Sequence, residues 1–327
     1  MDNKTKLSTR SSFISDNALN NDSSQKKSIL DPIIGASHDY ENALDTYLHL
    51  DGRRYLNDQE IYYYFPNDSK EYSRQWREHF LIRHMWSGNF QAPIDKKLLR
   101  LGSVRVLDVG CGPGAWVIDM AREYPCSSFI GMDISPDFDN DKKLANTAFL
   151  QYNFLHNFPF QDNTFDFVRQ SNILPFIPKK EWQEKTLKEM IRVTKSGGWI
   201  EISEVDWIYL NGGPITKRLN ETLRKSLSPL GIDVIPSFYV NESLERVGGL
   251  QDISHAVQIQ PIGEWKDTIG VMNLKNCLEA YDSMKTVLAP LMGVNDEEYV
   301  DLIRVYAVEV TEHRTLFSLH RYWAQKI

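Results

Sequence analysis

Apolar and polar positions alternate in blocks along most of the chain. After residue 101, short continuous apolar runs, among them VRVLDVG, SSFIGMD and FDFVRQSN, are separated by segments with helical spacing such as AWVIDMAREY and EKTLKEMIRVT. Buried strands that alternate with helices are typical of a parallel sheet covered on both faces. The pattern predicts an α/β fold.

The C-terminal third of the chain continues this pattern with more helix. It predicts a helix at TKRLNETLRKSLSPL, a strand at DISHAVQIQ, two amphipathic helices near 266–289 and 296–311, and a closing strand at RTLFSLHRYWAQ. We therefore expect these last strands to complete the sheet, with a helical insertion at about 264–311 before the last one.

The first hundred residues have a different pattern. Residues 1–35 are rich in Ser, Asn, Asp and Lys, so they bury too little apolar surface to offset the entropy of ordering and are predicted to be a disordered tail. The stretch NDSKEYSRQWREHFLIRHMW begins with residues that can cap a helix and continues with helical spacing up to Gly88. We expect residues 36–100 to form a helical lid on a domain at 101–327.

Composition and charge limit the function classes. The 37 Lys and Arg residues are scattered and the net charge is −7, which argues against a nucleic-acid partner. Cys111, Cys126 and Cys277 form no CxxC pair, so we expect neither a metal site nor disulfides. No apolar run reaches the roughly 20 residues of a membrane helix, so we expect no membrane partner and a cytoplasmic or nuclear location.

A glycine-rich turn, VLDVGCGPGAW, follows the first predicted strand of the domain. In open parallel sheets, ligands bind at the carboxyl ends of the strands, where Gly110, Gly112 and Gly114 lie. The spacing of Gly110, Gly112 and Ala115 also fits a dinucleotide fingerprint, so a nicotinamide-dependent oxidoreductase is an alternative. The acidic Asp108 favours a cationic ligand, and Pro113 removes an amide that a phosphate would bind.

Four segments in order, VLDVGCGPG, GMDIS, FPFQDNTFDFVRQ and SGGWIEI, resemble the motifs of class I S-adenosylmethionine-dependent methyltransferases. The flanking segments DGRRYLND, YFPND and LFSLHRYWAQK are similar to those of fungal LaeA-like methyltransferases. The resemblance implies a Rossmann-like fold, with a seven-stranded, mostly parallel sheet and helices on both faces. It also implies S-adenosylmethionine as the cofactor.

The resemblance also assigns roles to residues along the strand ends. Asp108 and the glycine-loop backbone would hold the methionine end of the cofactor, Asp133 would accept both ribose hydroxyls, and Ile134 would lie against the adenine. Asn153 stands where the family has an Asp that accepts the adenine amino group. Gln170 and Ser171 would lie beside the sulfonium. The expected cofactor-binding set is Asp108, Gly110, Cys111, Gly112, Gly114, Asp133, Ile134, Asn153, Phe154 and Gln170.

Methyl transfer from a sulfonium expels a neutral thioether, so catalysis is mostly positioning, and a base is needed only if the acceptor must lose a proton. Five residues near the strand ends could supply one, but none is singled out and the catalytic residue stays unknown: Ser171, Asn172, Glu204, Asp206 and Trp207. Arg53 could bind the cofactor carboxylate or be a solvated arginine.

Two questions about function stay open. The aromatic residues Tyr62–Phe65, Trp76 and Trp86 could line an apolar acceptor pocket or attach the N-terminal lid to the sheet. The main hypothesis is a methyltransferase acting on an unidentified small molecule or protein. The alternative is a LaeA-like regulatory protein that binds the cofactor but acts through a protein partner.

Overall fold

The N-terminal part of the structure combines a hairpin with a helix. The computed structural model describes residues 47–58, 60–94 and 104–327, so the expected tail at 1–35 lies outside the described residues. Strands β1 (Tyr47–Leu50) and β2 (Arg53–Leu56) pair antiparallel and precede helix α1 (Ser69–Trp86). The segment expected to be a helical lid is therefore helical only in part.

The central sheet has seven strands in the order β5-β4-β3-β6-β7-β9-β8. Strands β3 to β7 are parallel, whereas β9 runs antiparallel to both β7 and β8. This order confirms the expected Rossmann-like class I fold with a mostly parallel sheet. The strand bounds are β3 Arg105–Val109, β4 Ser128–Asp133, β5 Thr147–Gln151, β6 Phe165–Ser171, β7 Thr194–Val205, β8 Leu250–Pro261 and β9 Leu316–Lys326.

Helices cover both faces of this sheet. Trp116 and Met120 of one helix pack with Phe129 and Phe167 on one face, and a larger apolar core with Trp182 and Met190 lies on the other. Helix α3 (Leu187–Val193) is preceded by the helical turn Lys179–Glu181 and by a π-helical stretch, Trp182–Thr186. The helices after α1 and before β8 are α2 Ala115–Glu123, α3 Leu187–Val193, α4 Pro214–Leu227 and α5 Val240–Val247.

The helical insertion lies between β8 and β9, as expected, but it has three helices rather than two. They are α6 (Thr268–Ser283), α7 (Lys285–Met292) and α8 (Asp296–Glu312). The first predicted helix divides at Met284, which ends α6 and caps α7. Because the apolar pattern continues across this break, helical periodicity alone does not reveal it.

Helix α1 is fastened at its start and on its flank. The Asp68 side chain accepts a hydrogen bond from the Glu71 backbone amide (3.1 Å) and also accepts from Arg53 (2.5 Å to Nε), which ties the hairpin to the helix. On the flank, His79 Nε2 lies 2.9 Å from Asp119 of α2, and Arg83 donates to the same carboxylate at 2.9 Å. Arg53 is therefore occupied by the helix cap and is neither solvated nor in contact with the cofactor region.

A buried polar network lies between β6 and β7. Trp182 donates to Gln170 (2.8 Å), and both the Gln170 amide (3.3 Å) and the Ile173 backbone amide (3.1 Å) donate to Glu204. Glu204 is 1% exposed, and this burial raises its pKa to about 8. Glu204 is therefore protonated at neutral pH and holds the loop that follows β6.

The replacement Glu204→Gln should flatten the pH dependence of stability. The carboxyl ionises near 4.5 when unfolded but near 8 when folded, so the free energy of unfolding of the wild type falls as pH rises across this window. Between pH 5.5 and 8 the free energy of unfolding of the wild type should fall by an amount on the order of 3 kcal/mol, and the variant should not show this decrease. Urea unfolding at both pH values measures this, and parallel profiles for the two proteins would contradict the assignment.

Candidate active site

A cavity opens at the carboxyl ends of β3, β4 and β6, as expected for an open parallel sheet. Its walls come from the glycine loop, from α1, from the loops after β4 and β6, and from α6. Residues that were distant in the sequence therefore share one enclosed space. Of the expected cofactor set, those that line it are Asp108, Gly110, Cys111, Gly112, Asp133, Ile134 and Phe154.

The glycine loop has almost no room for side chains. Gly110, Gly112 and Gly114 all have positive φ, between 53° and 86°. A Cβ on Gly110 would lie 2.4 Å from the Ile173 side chain, and one on Gly112 would lie 2.8 Å from Gln75. Gly114 differs, because it does not line the cavity: it precedes α2, and a Cβ there would meet Phe149 at 2.4 Å. Packing against Phe149 therefore requires a glycine at position 114.

The expected ligand of the cofactor ammonium, Asp108, already has a cationic partner. Arg169 Nη1 donates to Asp108 Oδ1 at 2.8 Å, and the Arg169 guanidinium lies 4.4 Å from the centre of the Trp116 ring. Burial raises the pKa of Asp108, although Arg169 opposes that shift. Sequence reasoning missed Arg169, for which the signal was a basic side chain next to the apolar pair Phe167-Val168 of strand β6.

Asp133 ends β4 and faces the cavity. Its Oδ2 accepts from the Gly112 amide at 2.8 Å and its Oδ1 from the Ser135 amide at 2.9 Å. Burial raises the pKa of Asp133 to about 6. Since each carboxylate oxygen has two lone pairs, both can still accept a hydroxyl, and Ile134 and Phe154 add apolar wall nearby. These residues fit an adenosine.

Besides Gly114, two members of the expected set do not line the cavity. Asn153 accepts from the Leu155 amide (2.9 Å) and donates to Glu60 (2.7 Å), so it caps a loop. Gln170 is fully buried in the network with Glu204. Its neighbours Arg169 and Ser171 do line the cavity, and because alternate strand residues face opposite sides of a sheet, Gln170 faces away.

The expected base candidates separate in the same way. Ser171, Asn172 and Trp207 line the cavity. Glu204 is in the buried network, and Asp206 accepts from Ser237 Oγ at 2.6 Å and lies 3.2 Å from His320. Neither acid lines the cavity.

Beyond the glycine loop the cavity widens into an aromatic and aliphatic chamber. Tyr63, Phe65, Phe176 and Trp207 form one cluster, with ring centroids such as those of Tyr63 and Phe176 4.9 Å apart. The aromatic segment thus both lines the cavity and packs the N-terminal part on the domain. Trp76 and Trp86 do not line it. The opposite wall is formed by α6 residues Asn273, Asn276, Cys277, Ala280 and Tyr281.

Within the described ranges, no group of three His, Cys, Asp or Glu side chains could hold a metal ion. In the same part of the chain, no helix has the length and apolar character needed to cross a membrane.

Comparisons with known proteins agree with the cavity and the sheet order. Residues 106–198 match the family model described as a methyltransferase domain. N-methyltransferase gliN of Aspergillus fumigatus is 24% identical over 283 residues, covering 83% of this chain and 99% of that protein. N-methyltransferase verN of Clonostachys rogersoniana is 23% identical over 286 residues, covering 81% and 92%.

Among solved structures, Haemonchus contortus phosphoethanolamine N-methyltransferase 2 is 17% identical, with a TM-score of 0.45 and coverage of 81% of this chain and 60% of that one. The matched domain spans the glycine loop, Asp133 and the strands that carry them. The chain therefore carries a methyltransferase domain, built on the class I fold.

Proposed function

We propose that this chain transfers a methyl group from S-adenosylmethionine to a small, largely apolar acceptor. The observation that carries the proposal is one continuous cavity, with the glycine loop and Asp133 at one end and the chamber against α6 at the other. A cofactor held at the first end would direct its methyl group toward an acceptor at the second. Such an arrangement provides the positioning on which this chemistry depends.

The residues of this chain would divide the work of binding. The Asp108–Arg169 pair offers both signs of charge to the two ends of an amino acid. Asp133 would accept the ribose hydroxyls, and Ile134 and Phe154 would flank the base. The cofactor would supply an electrophilic methyl group on a sulfonium. The enclosing walls would exclude water from the transfer.

Two features support a small acceptor rather than a protein. Helices α1 and α6 form opposite walls of the chamber, so an acceptor must enter a space enclosed by apolar side chains. The relatives that match over nearly their whole length are named N-methyltransferases, which supports a nitrogen acceptor. The LaeA-like regulatory role with a protein partner is the alternative to catalysis. A cytoplasmic or nuclear location is part of the proposal.

The cofactor assignment predicts selective stabilisation of the folded chain. S-adenosylmethionine or S-adenosylhomocysteine should raise Tm by several degrees, whereas NAD⁺ should not. Differential scanning fluorimetry measures this, and stabilisation by NAD⁺ alone would favour the oxidoreductase. Incubation of metabolite fractions with tritiated cofactor then tests transfer, since a purely regulatory protein would label no product.

The ribose assignment predicts a loss of affinity that depends on pH. Asp133→Asn should weaken S-adenosylhomocysteine binding by tens of fold. Each charge-assisted hydrogen bond that the carboxylate no longer makes costs about 1.5–3 kcal/mol of binding free energy. In the wild type the affinity should fall as pH drops below about 6, where Asp133 takes up a proton.

Titration calorimetry at pH 5 and 7.5 measures both effects. The variant should show no pH-dependent loss near pH 6. Asp139→Asn is the control, because Asp139 pairs with Lys142 and does not line the cavity. Equal affinity of the Asp133 variant and the wild type at pH 7.5 would show that Asp133 does not bind the cofactor.

A further inference from the structure

A polar cluster interrupts the apolar wall of the chamber where α1 meets α6. We call Glu71, Arg74, Glu78 and Asn276 the seam cluster. Arg74 donates to Glu71 at 2.6 Å, to Glu78 Oε1 at 3.0 Å and to Asn276 Oδ1 at 3.1 Å. Asn276 in turn donates to Glu78 Oε1 at 2.9 Å. One guanidinium thus joins two carboxylates and an amide across the two helices.

The charges of the seam cluster do not balance. Glu71 is fully buried, does not line the cavity, and receives further hydrogen bonds from Ser283 (3.0 Å) and Gln75 (3.2 Å). It therefore compensates Arg74 from behind. Glu78 is the surplus carboxylate and lines the cavity with its side chain 26% exposed. The cluster presents one uncompensated negative charge to the chamber.

One oxygen of that carboxylate is available. Both hydrogen bonds that Glu78 accepts go to Oε1, and Oε2 receives none from the described residues. The neighbouring amides are committed elsewhere, since Asn273 donates to the Pro261 carbonyl (2.8 Å) and Gln75 to Tyr63 (2.7 Å). Glu78 Oε2, on a side chain that is 26% exposed, is therefore open to a donor from a ligand in the chamber.

The surroundings of Glu78 make a cation the fitting partner. Leu81, Ile82 and Met85 of α1 and Ala280 and Met284 of α6 supply apolar surface to the same chamber. A carboxylate among such side chains is costly unless it is paired, and a protonated amine would supply both the charge and the hydrogen bond. A neutral hydroxyl would supply only the hydrogen bond.

We propose that the acceptor is a small apolar molecule carrying a basic nitrogen, which Glu78 Oε2 binds in its ammonium form. The ammonium then gives a proton to Glu78 Oε2, and the freed nitrogen lone pair attacks the methyl carbon as the carbon–sulfur bond of the cofactor breaks. This inference rests on the proposed function, because it places the acceptor opposite a cofactor held by the glycine loop. Glu78 is then a residue that determines substrate specificity, while Arg74 and Asn276 position its carboxylate. Apolar walls select the body of the acceptor, and Glu78 selects its charge.

The experiment compares matched amines and alcohols on the full chain saturated with S-adenosylhomocysteine. The probes are tryptamine against 3-(2-hydroxyethyl)indole, and phenethylamine against 2-phenylethanol, with affinity measured by titration calorimetry. In the wild type at least one amine should bind about tenfold or more tighter than its alcohol. Glu78→Gln should lose that preference.

Glu279→Gln is the matched control. Glu279 pairs with Arg77 at 2.6 Å across the same two helices, but neither residue lines the cavity, so the preference should persist in this variant. Thermal melts of all three proteins check folding, and the wild-type comparison needs no variant at all.

Three results would overturn the inference. They are equal affinity of amine and alcohol in both pairs, absence of binding by either amine, and loss of S-adenosylhomocysteine affinity in Glu78→Gln, which would assign the carboxylate to the cofactor. Failure of the wild type to bind S-adenosylhomocysteine would instead refute the proposed function itself. The two failures are therefore distinguishable.

Discussion

The site depends on a steric constraint at the turn between β3 and α2. Ile173, Gln75 and Phe149 each lie so close to one glycine of this turn that a Cβ would collide with them. These three residues come from the loop after β6, from α1 and from β5. Three separate parts of the fold therefore pack directly against the glycine backbone of this turn. The amides of the turn donate within the protein, those of Gly110 and Cys111 to the Met132 carbonyl and that of Gly112 to Asp133.

The carboxylates that line the cavity around this turn differ in how far their partners compensate their negative charge. Asp108 is paired with Arg169, whereas Asp133 is held by backbone amides and has a pKa that burial raises to about 6. Glu78 carries a charge that its partners compensate only in part. Each acid is thus suited to a different group, because its environment, and not its chemical type, sets its charge.

The sheet and the cavity-lining residues of the glycine loop and of the end of β4 were predictable from the sequence because they are local. A buried strand, a glycine turn and an acid at the next strand end lie within 28 residues, from Val106 to Asp133. Gln170 was misplaced because a one-residue error on a strand reverses the side it faces. Asn153 was misplaced because its partner, Glu60, is distant in the sequence.

The aromatic segment Tyr62–Phe65 was a candidate for the chamber wall from the sequence, but the polar residues of that wall were not, because their partners are distant in the chain. Glu78 resembles any exposed helical acid until Arg74 and Asn276 are seen beside it, and Asn276 lies about 200 positions later in the chain. The hairpin before α1 was also missed, because its two strands are four residues each and carry no clear alternation.

Helix α1 is held on one side by Asp119 of α2 and on the other by Asn276 of α6. It therefore connects the sheet that carries the glycine loop to the α6 wall of the chamber. A change of substrate made by exchanging the insertion alone would leave α1 facing foreign partners. Grafting of specificity between such enzymes should for this reason transfer both helices as one unit.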